Sequence, residues 1–258
     1  MSRSMEVTAQ AGAGEMPADE WRVRVDLAAC YRLFDYFRMT DLIYTHISAR
    51  VPGRHDHFLI NPFGLMFDEI TASCLVKVDV DGNVLEDSTG MGINPGGFTI
   101  HSAVHMARPD VQYVMHSHTP AGIAVASMER GLLPLTQHAM RFTNRLARHH
   151  YEGVYFTHEE RQRLQASLGQ RTAMLLHNHG LLVCQKSAVE AFDEIYYLER
   201  ACQAQVALLS LGEKPIEPGA EAGEQVAAYM EMPGRKSPQK AWDALVRRLD
   251  RTDPSYKT

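Results

Sequence analysis

Two capping boxes on either side of an apolar stretch constrain the fold of this chain more than any other feature. The segment Thr157–Glu160 has the Ser/Thr-x-x-Glu pattern that starts a helix, and this helix is predicted to end near Leu168. The segment Ser187–Glu190 starts a second, longer helix that ends at Gly212. Between the two boxes, residues 172–184 form an apolar strand region. This helix–strand–helix order predicts an α/β protein.

The remaining patterns add short strands and further helices, without an internal repeat or a linker that would divide the chain. Predicted strands lie at His57–Ile60, Leu75–Val80, Val84–Glu86 and Val111–His118, and predicted helices at 19–39, 98–107, 121–128 and 238–249. Between Pro215 and the last of these helices the pattern is polar and broken. We expect one domain at 19–250 with a mostly antiparallel or mixed sheet, a disordered lead-in at 1–18 and a tail at 251–258.

Charge and cysteine content argue against several classes of function. The 258 residues carry 26 basic and 31 acidic side chains, a net charge of −5, without the basic surplus typical of nucleic-acid binding. The four scattered cysteines include no C-x-x-C pair, so neither a disulfide framework nor a cysteine zinc site is expected. No apolar run reaches the roughly 18–20 residues of a membrane helix, and the first residues lack the apolar core of a signal peptide. We expect a cytoplasmic protein that binds neither nucleic acid nor a membrane.

The strongest chemical signal is the pair His116 and His118, at the end of a predicted strand that closes at Pro120. Side chains two residues apart in a strand project from the same side, about 7 Å from each other. Two imidazoles so placed can converge on one metal ion. The alternative is a pair of partly buried histidines that hydrogen-bond to the backbone.

A second pair, His177 and His179, lies within the apolar stretch 172–184. If this stretch is one strand, both side chains share a face, where buried polar groups are costly unless something satisfies them. One of them could complete a three-histidine site with an open position, as in catalytic metal centres, but spacing does not decide which. Two other pairs compete. His101 and His105, four residues apart on a predicted helix, are expected to be helix-surface or packing residues, and His149 and His150, in a polar loop, are expected to be solvated.

Read together, these motifs resemble the class II aldolase/adducin family, in particular the head domain of adducin and its bacterial relatives. The resemblance runs from about Leu27 to Gly212 and is carried by Ile60–Leu65, Asn94–His101, Ala107–Val111, His116–Gly122 and Asn178–Leu181. It implies a three-layer α/β/α sandwich with its core at 27–212. It also implies that His116, His118 and His179 hold one divalent metal, usually zinc. Many members are homotetramers with active sites at subunit interfaces, so a homo-oligomer is implied.

Two departures from the sugar-phosphate aldolases of this family bear on the reaction. Those enzymes carry an acid/base glutamate where this chain has Gly97, and losing such a group costs about 10²–10⁴-fold in rate. Of their phosphate-binding segments only Ser48 and Gly64 remain, and no lysine or arginine compensates. Asn61 and Gly97 join Ser48 and Gly64 as candidate pocket residues, but a standard sugar-phosphate aldolase is not expected.

We therefore expect a divalent-metal-dependent lyase, of aldolase or decarboxylase type, acting on a small, non-phosphorylated hydroxycarbonyl or hydroxy acid. The metal, zinc by preference with iron, manganese or cobalt as alternatives, would stabilise an enediolate or carbanion. His46 and His138, in loops expected near the metal, are the candidates for proton transfer, although His138 could equally be a fourth ligand or an inert surface residue. The alternatives are a non-haem iron oxygenase that uses the three histidines and a non-catalytic, adducin-like assembly protein.

Overall fold

A computed structural model describes residues 16–153 and 158–258, and within them an eight-stranded mixed sheet. The strands are β1 (Ile47–Arg50), β2 (His57–Ile60), β3 (Val76–Asp79), β4 (Val84–Glu86), β5 (Tyr113–Ser117), β6 (Leu146–His149), β7 (Ala173–Leu176) and β8 (Gly180–Gln185). Their order is β4-β3-β2-β1-β5-β8-β7-β6. Every neighbouring pair is antiparallel except β6 with β7. The prediction of a mixed, mostly antiparallel sheet is confirmed.

Eight α-helices accompany the sheet in the described part of the chain. They are α1 (Ala18–Tyr36), α2 (Pro95–Ala107), α3 (Pro120–Ala126), α4 (Gln137–Met140), α5 (His158–Leu168), α6 (Ala188–Ser210), α7 (Ala220–Glu231) and α8 (Ser237–Thr252). Ser187 caps α6, with the Glu190 amide donating to the serine hydroxyl, but the capping box is incomplete, because the Glu190 carboxylate accepts from that hydroxyl instead of from the Ser187 amide. The box predicted at Thr157 begins outside the described residues.

Side-chain alternation along the strands separates two apolar layers. Met115 and Val183 belong to a core that includes side chains of α1, α6 and α8, whereas Val114 and Leu182, their chain neighbours, belong to a core with α2 and α5. Successive strand residues face opposite sides of the sheet, so each strand contributes to both layers. The result is the predicted three-layer α/β/α sandwich.

The apolar stretch 172–184 is a hairpin, so the expectation of a single strand is wrong. Strands β7 and β8 pair with Leu176 opposite Gly180, and the residues between them form a tight turn. Asn178 adopts a left-handed φ of 56° there, a conformation that asparagine tolerates better than most residues. His177 and His179 therefore occupy a turn rather than one face of a strand.

Other segments also differ from the sequence predictions. Helix α7 lies in the region whose sequence pattern is polar and broken. The pattern does not predict this helix, because it buries only small residues, Gly223 and Ala227, which give little apolar periodicity. His149, expected in a solvated loop, is buried at the end of β6. The segment assigned as a tail is packed: Tyr256 is buried and its carbonyl accepts from the Ala72 amide.

Within residues 16–153 and 158–258, none of the helices has the length and apolar character needed to span a bilayer.

Candidate metal centre

Two strand ends bring three histidines together on one side of the sheet. His116 lies in β5 and His118 directly follows it, while His179 lies in the turn before β8. Pairing of β5 with β8 sets Ser117 opposite Leu181, so this turn lies beside the end of β5. A Cβ atom on Gly180 would lie 2.2 Å from the Ser117 carbonyl oxygen, so this close approach requires glycine.

The three imidazoles point their Nε2 atoms at one another. The Nε2 atom of His118 lies 2.8 Å from that of His116 and 2.9 Å from that of His179. The ring centroids are 4.6 to 4.8 Å apart. In the part of the chain that the structure describes, these residues form the one group of three or more His, Cys, Asp or Glu side chains spaced to hold a metal ion. We call His116, His118 and His179 the histidine triad.

The outer ring nitrogens of two triad members have partners of their own. His116 Nδ1 donates to the carbonyl oxygen of Leu181 at 2.8 Å, since a carbonyl can only accept. His118 Nδ1 lies 3.0 Å from Oδ2 of Asp41 and donates to that carboxylate. Such outer contacts fix the tautomer and orientation of metal-binding histidines.

This arrangement fits a divalent metal ion. Because His116 and His118 donate from Nδ1 to outer partners, each turns its Nε2 toward the other, the atom that carries a lone pair in a ring with its single proton on Nδ1. Burial lowers the pKa of His116 well below its ordinary value, and burial beside His118 lowers that of His179 to about 4, so protonation is disfavoured. A proton on His179 Nε2 could form a hydrogen bond to His118 Nε2, but the contact between the Nε2 atoms of His116 and His118 would still lack a proton. A cation satisfies all three lone pairs, and nitrogen ligands suit zinc and its first-row neighbours.

His177 does not belong to this group. Its ring contacts that of His150 at a centroid distance of 5.1 Å. The turn therefore directs its two histidines differently, which selects His179 over His177 on geometry alone.

A pocket of about 260 Å³ lies over the triad. Besides the three histidines, its walls are apolar, small or uncharged: Tyr44, Thr45, His46, Asn94, Gly96, Gly97, Ile100, Tyr151 and Gly153. Among the described residues that line it, none is a lysine, arginine, aspartate or glutamate. Tyr44 and Tyr151 are about half exposed and stand at its opening.

His46 and Gly97 fit together in this pocket. An added Cβ at Gly97 would lie 2.1 Å from His46 Nδ1, so the imidazole occupies the space of the missing side chain. His46 is buried, and neither ring nitrogen has a hydrogen-bond partner within the described residues. Burial, with smaller contributions from His118 and His179, lowers the pKa of His46 to about 3, which keeps this ring neutral.

The other predicted site residues lie elsewhere. Ser48 is buried, and its hydroxyl lies 2.6 Å from His101 Nδ1 and 2.8 Å from His105 Nε2. Asn61 is buried too, and its Oδ1 accepts from the Tyr31 hydroxyl at 2.9 Å. These side chains hold the protein interior together and do not line the pocket over the triad.

Gly64 and His138 are also not among the described residues that line this pocket. Gly64 has a φ of 131°, beside the sulfur of Met91. His138 is exposed on α4, with its ring 4.9 Å from that of Tyr197. Of the predicted substrate and proton-transfer residues, the structure brings His46 and Gly97 to the triad.

Sequence reasoning missed Asp41 and Tyr151. Asp41 is 77 positions from His118, its hydrogen-bond partner, and stands outside any periodic element. Tyr151 follows the histidine pair at 149–150, and its ring centroid lies 6.2 Å from that of His179. Neither position carries a local signal, because both contacts depend on how distant segments pack.

Sequence comparison places these features among known proteins. Residues 25–206 match the family described as the Class II Aldolase and Adducin N-terminal domain. A protein of Pseudomonas aeruginosa, provisionally named as a class 2 aldolase, is 51% identical over 247 residues, which cover 94% of this chain and 95% of that protein. Mouse alpha-adducin is 42% identical over 245 residues, covering 88% of this chain and 33% of alpha-adducin.

Solved structures agree with this grouping. A crystal structure of an aldolase II superfamily protein from Pseudomonas syringae superposes with a TM-score of 0.91 at 48% identity, covering 95% of this chain and 98% of that one. The L-fuculose 1-phosphate aldolase of Glaciozyma antarctica superposes with a TM-score of 0.82 at 26% identity, covering 96% of this chain and 97% of that one.

Proposed function

We propose, from the premise that this chain belongs to the class II aldolase and adducin family, that it is a divalent-metal-dependent carbon–carbon lyase of aldolase or decarboxylase type. The observation that carries the proposal is the convergence of the three Nε2 atoms of the histidine triad beneath a pocket. A purely structural trio of histidines would be expected to satisfy its nitrogens with backbone or hydroxyl partners instead.

The triad would hold the metal, which when bound supplies a Lewis acid that draws electrons from a substrate oxygen. The remaining walls of the pocket exclude bulk water and orient the substrate. Ile100 and the ring faces of Tyr44 and Tyr151 provide apolar contact, and Asn94 provides a polar side chain at the start of α2.

We assign the substrate to small, non-phosphorylated hydroxycarbonyls or hydroxy acids. A phosphate dianion is usually bound by arginine, lysine or a row of backbone amides. The described lining has no lysine or arginine, the Gly96 amide at the start of α2 already donates to Asn94 Oδ1, and the volume of about 260 Å³ suits a small molecule. A carboxylate or hydroxycarbonyl can offer two oxygens to the metal without a further cation from the protein.

His46 is our candidate for the group that acts on the substrate beside the metal. Its neutral imidazole lies against the first turn of α2, where the helix dipole disfavours an additional positive charge. A neutral ring so placed can donate its N–H as a hydrogen bond to a substrate oxygen that gains negative charge. His138 has no part in this proposal, because it contacts Tyr197 on the exposed side of α4.

The proposal is tested by measuring carbon–carbon cleavage with the purified protein loaded with zinc, manganese, cobalt or ferrous iron. Substrates would be short hydroxy acids and hydroxycarbonyls, each paired with its phosphate ester, and products would be detected as released aldehyde or carbon dioxide. We expect cleavage of a non-phosphorylated compound that His116→Ala abolishes and that His150→Ala retains. Faster cleavage of the phosphate esters, or equal cleavage by His116→Ala, would contradict the proposal.

A non-catalytic assembly role is the second candidate, favoured by the 42% identity to mouse alpha-adducin. In that case the histidine triad would be dispensable. Deleting the gene and complementing it with His116→Ala or with the unaltered sequence separates the two: equal rescue by both would favour assembly, and failure of the variant would favour the lyase.

The proposal also includes zinc as the physiological metal, a homotetramer with its pockets at subunit contacts, and a cytoplasmic location. Support for these comes from family membership and from the nitrogen-only donor set. Multi-angle light scattering of the purified chain tests the tetramer, with a mass of four times 29.0 kDa expected.

A further inference from the structure

We propose that Asp41 is a positioning residue of the metal centre: its carboxylate fixes the His118 ring so that Nε2 faces the metal. This inference rests on the proposed function, since it takes the histidine triad as the metal ligands. The distance from Asp41 Oδ2 to His118 Nδ1 is 3.0 Å.

The two anchored members of the triad differ in what holds them. His116 donates to a neutral backbone carbonyl, that of Leu181, which the β5–β8 pairing fixes. His118 lies beyond the end of β5 and donates to a carboxylate that a separate segment supplies. A hydrogen bond to a charged acceptor is generally stronger than one to a neutral acceptor, although the His118–Asp41 distance of 3.0 Å is longer than the His116–Leu181 distance of 2.8 Å. It therefore compensates for the weaker support that His118 receives from the sheet.

The turn that carries Asp41 has a costly backbone, and residues 41–44 within it are partly or largely exposed. Leu42 has a φ of 50° and Thr45 a φ of 70°, left-handed values that are unusual for a leucine and a β-branched residue. Leu42 is 65% exposed, so burial of its side chain does not account for the turn. The Tyr44 amide donates to the Asp41 carbonyl at 2.8 Å, which closes the turn. The turn places the Asp41 carboxylate against His118, and it places the Tyr44 side chain at the pocket.

This carboxylate acts on the metal through the ring. As an acceptor at Nδ1, it holds the proton on that nitrogen and leaves the Nε2 lone pair free for a ligand bond. It also makes the imidazole a stronger donor. Losing such a contact typically weakens metal binding by about 10–100-fold.

The test is the zinc affinity of the full chain, measured by competition with a fluorescent zinc chelator. We expect Asp41→Ala to bind zinc about 10–100-fold more weakly than the unaltered protein, and Asp41→Asn, which keeps an acceptor oxygen without the charge, to lose less. Asp81→Ala, at an exposed aspartate of the β3–β4 turn, is the matched control and should bind with unchanged affinity.

A second readout separates positioning from general damage to the fold. In zinc-free protein, nitrogen NMR of labelled histidines should show His118 protonated at Nδ1, with a shift toward the Nε2–H tautomer in Asp41→Ala. The thermal midpoint of the zinc-free variant should stay within about 2 °C of the unaltered protein, as expected for a half-exposed side chain.

The outcomes are distinguishable. If the unaltered protein binds zinc and Asp41→Ala binds it as tightly, or if the His118 tautomer is unchanged, the positioning role of Asp41 is wrong while the metal centre stands. If the unaltered protein binds neither zinc nor manganese, cobalt or ferrous iron, both the proposed function and this role are wrong.

Discussion

Two histidine clusters among the described residues are built in opposite ways. In the histidine triad, three Nε2 atoms face one another beneath an open pocket. In the second cluster, the Ser48 hydroxyl bridges His101 and His105, one helical turn apart on α2, and all three side chains are buried. We call this second group the serine–histidine cluster.

The difference shows which feature marks a ligand site. A hydroxyl is both donor and acceptor, so Ser48 can satisfy one nitrogen of each histidine without any added group. The facing imidazoles of the triad have no hydroxyl between them, and a bound cation would satisfy all three Nε2 atoms at once. The i,i+4 spacing on a helix and the i,i+2 spacing on a strand can each serve metal binding. The two clusters differ in whether a described side chain lies between the rings: Ser48 does so in one, and none does in the triad.

The largest expected effect comes from the turn that holds His177 and His179. His179→Ala removes a triad member and should weaken zinc binding by more than about 100-fold, beyond the loss typical of an outer contact. His177→Ala, two positions away and paired with His150, should leave the affinity within about threefold. Chelator competition measures both. Equal losses in the two variants would mean that the turn, rather than the triad, accounts for binding.

Zinc should also stabilise the fold through the triad. A ligand at 100 times its dissociation constant adds about 2.7 kcal/mol, which for a chain of this size raises the thermal midpoint by roughly 5–10 °C. Differential scanning calorimetry with zinc and with chelator gives this shift. It should vanish in His179→Ala and persist in His177→Ala, whereas a shift retained in both would place the zinc elsewhere.

The fit between His46 and Gly97 predicts a steric coupling. Gly97→Ala would bring a Cβ within 2.1 Å of the His46 ring, so we expect a loss of about 1–3 kcal/mol in the free energy of unfolding. In a His46→Ala background the same change should cost less, since the ring is gone. Urea unfolding of the four proteins of this double-mutant cycle measures the coupling. Additive losses would show that the two side chains do not compete for one space.

The serine–histidine cluster should affect stability and leave zinc binding unchanged. Ser48→Ala removes the common partner of His101 and His105, and two buried nitrogens without a partner should cost about 1–2 kcal/mol in unfolding free energy. Zinc affinity, measured by chelator competition, should stay within about threefold. A tenfold weaker affinity would mean that the serine–histidine cluster contributes to the metal centre, which contradicts a purely structural role for it.

Local patterns predict a large part of the fold and of this site. Alternation places His116 and His118 on one side of a strand, and capping signals locate the start of α6. The hairpin turn at residues 177–179 is not predicted by these patterns. The turn contains no proline, and Asn178, its left-handed residue, lies in an apolar run that is otherwise typical of a strand.

Contacts between distant segments are beyond these patterns. Ser48 and Asn61 are polar and lie in segments associated with ligand binding, yet both face the interior, where hydrogen bonds to His101 and Tyr31 satisfy them. Asp41 reaches His118 across 77 positions through a left-handed turn. Each of these contacts depends on which side chains meet after folding, and composition and local spacing do not predict such contacts.

The most direct test of the account is the metal content of the purified protein, determined by plasma mass spectrometry. We expect about one zinc, or another first-row metal, per chain, lost in His116→Ala/His118→Ala and kept in the matched double variant His150→Ala/His177→Ala. One iron per chain would favour oxygen chemistry at the same triad. No bound metal in the unaltered protein after reconstitution, or equal metal in both double variants, would contradict the claim that the triad is a metal centre.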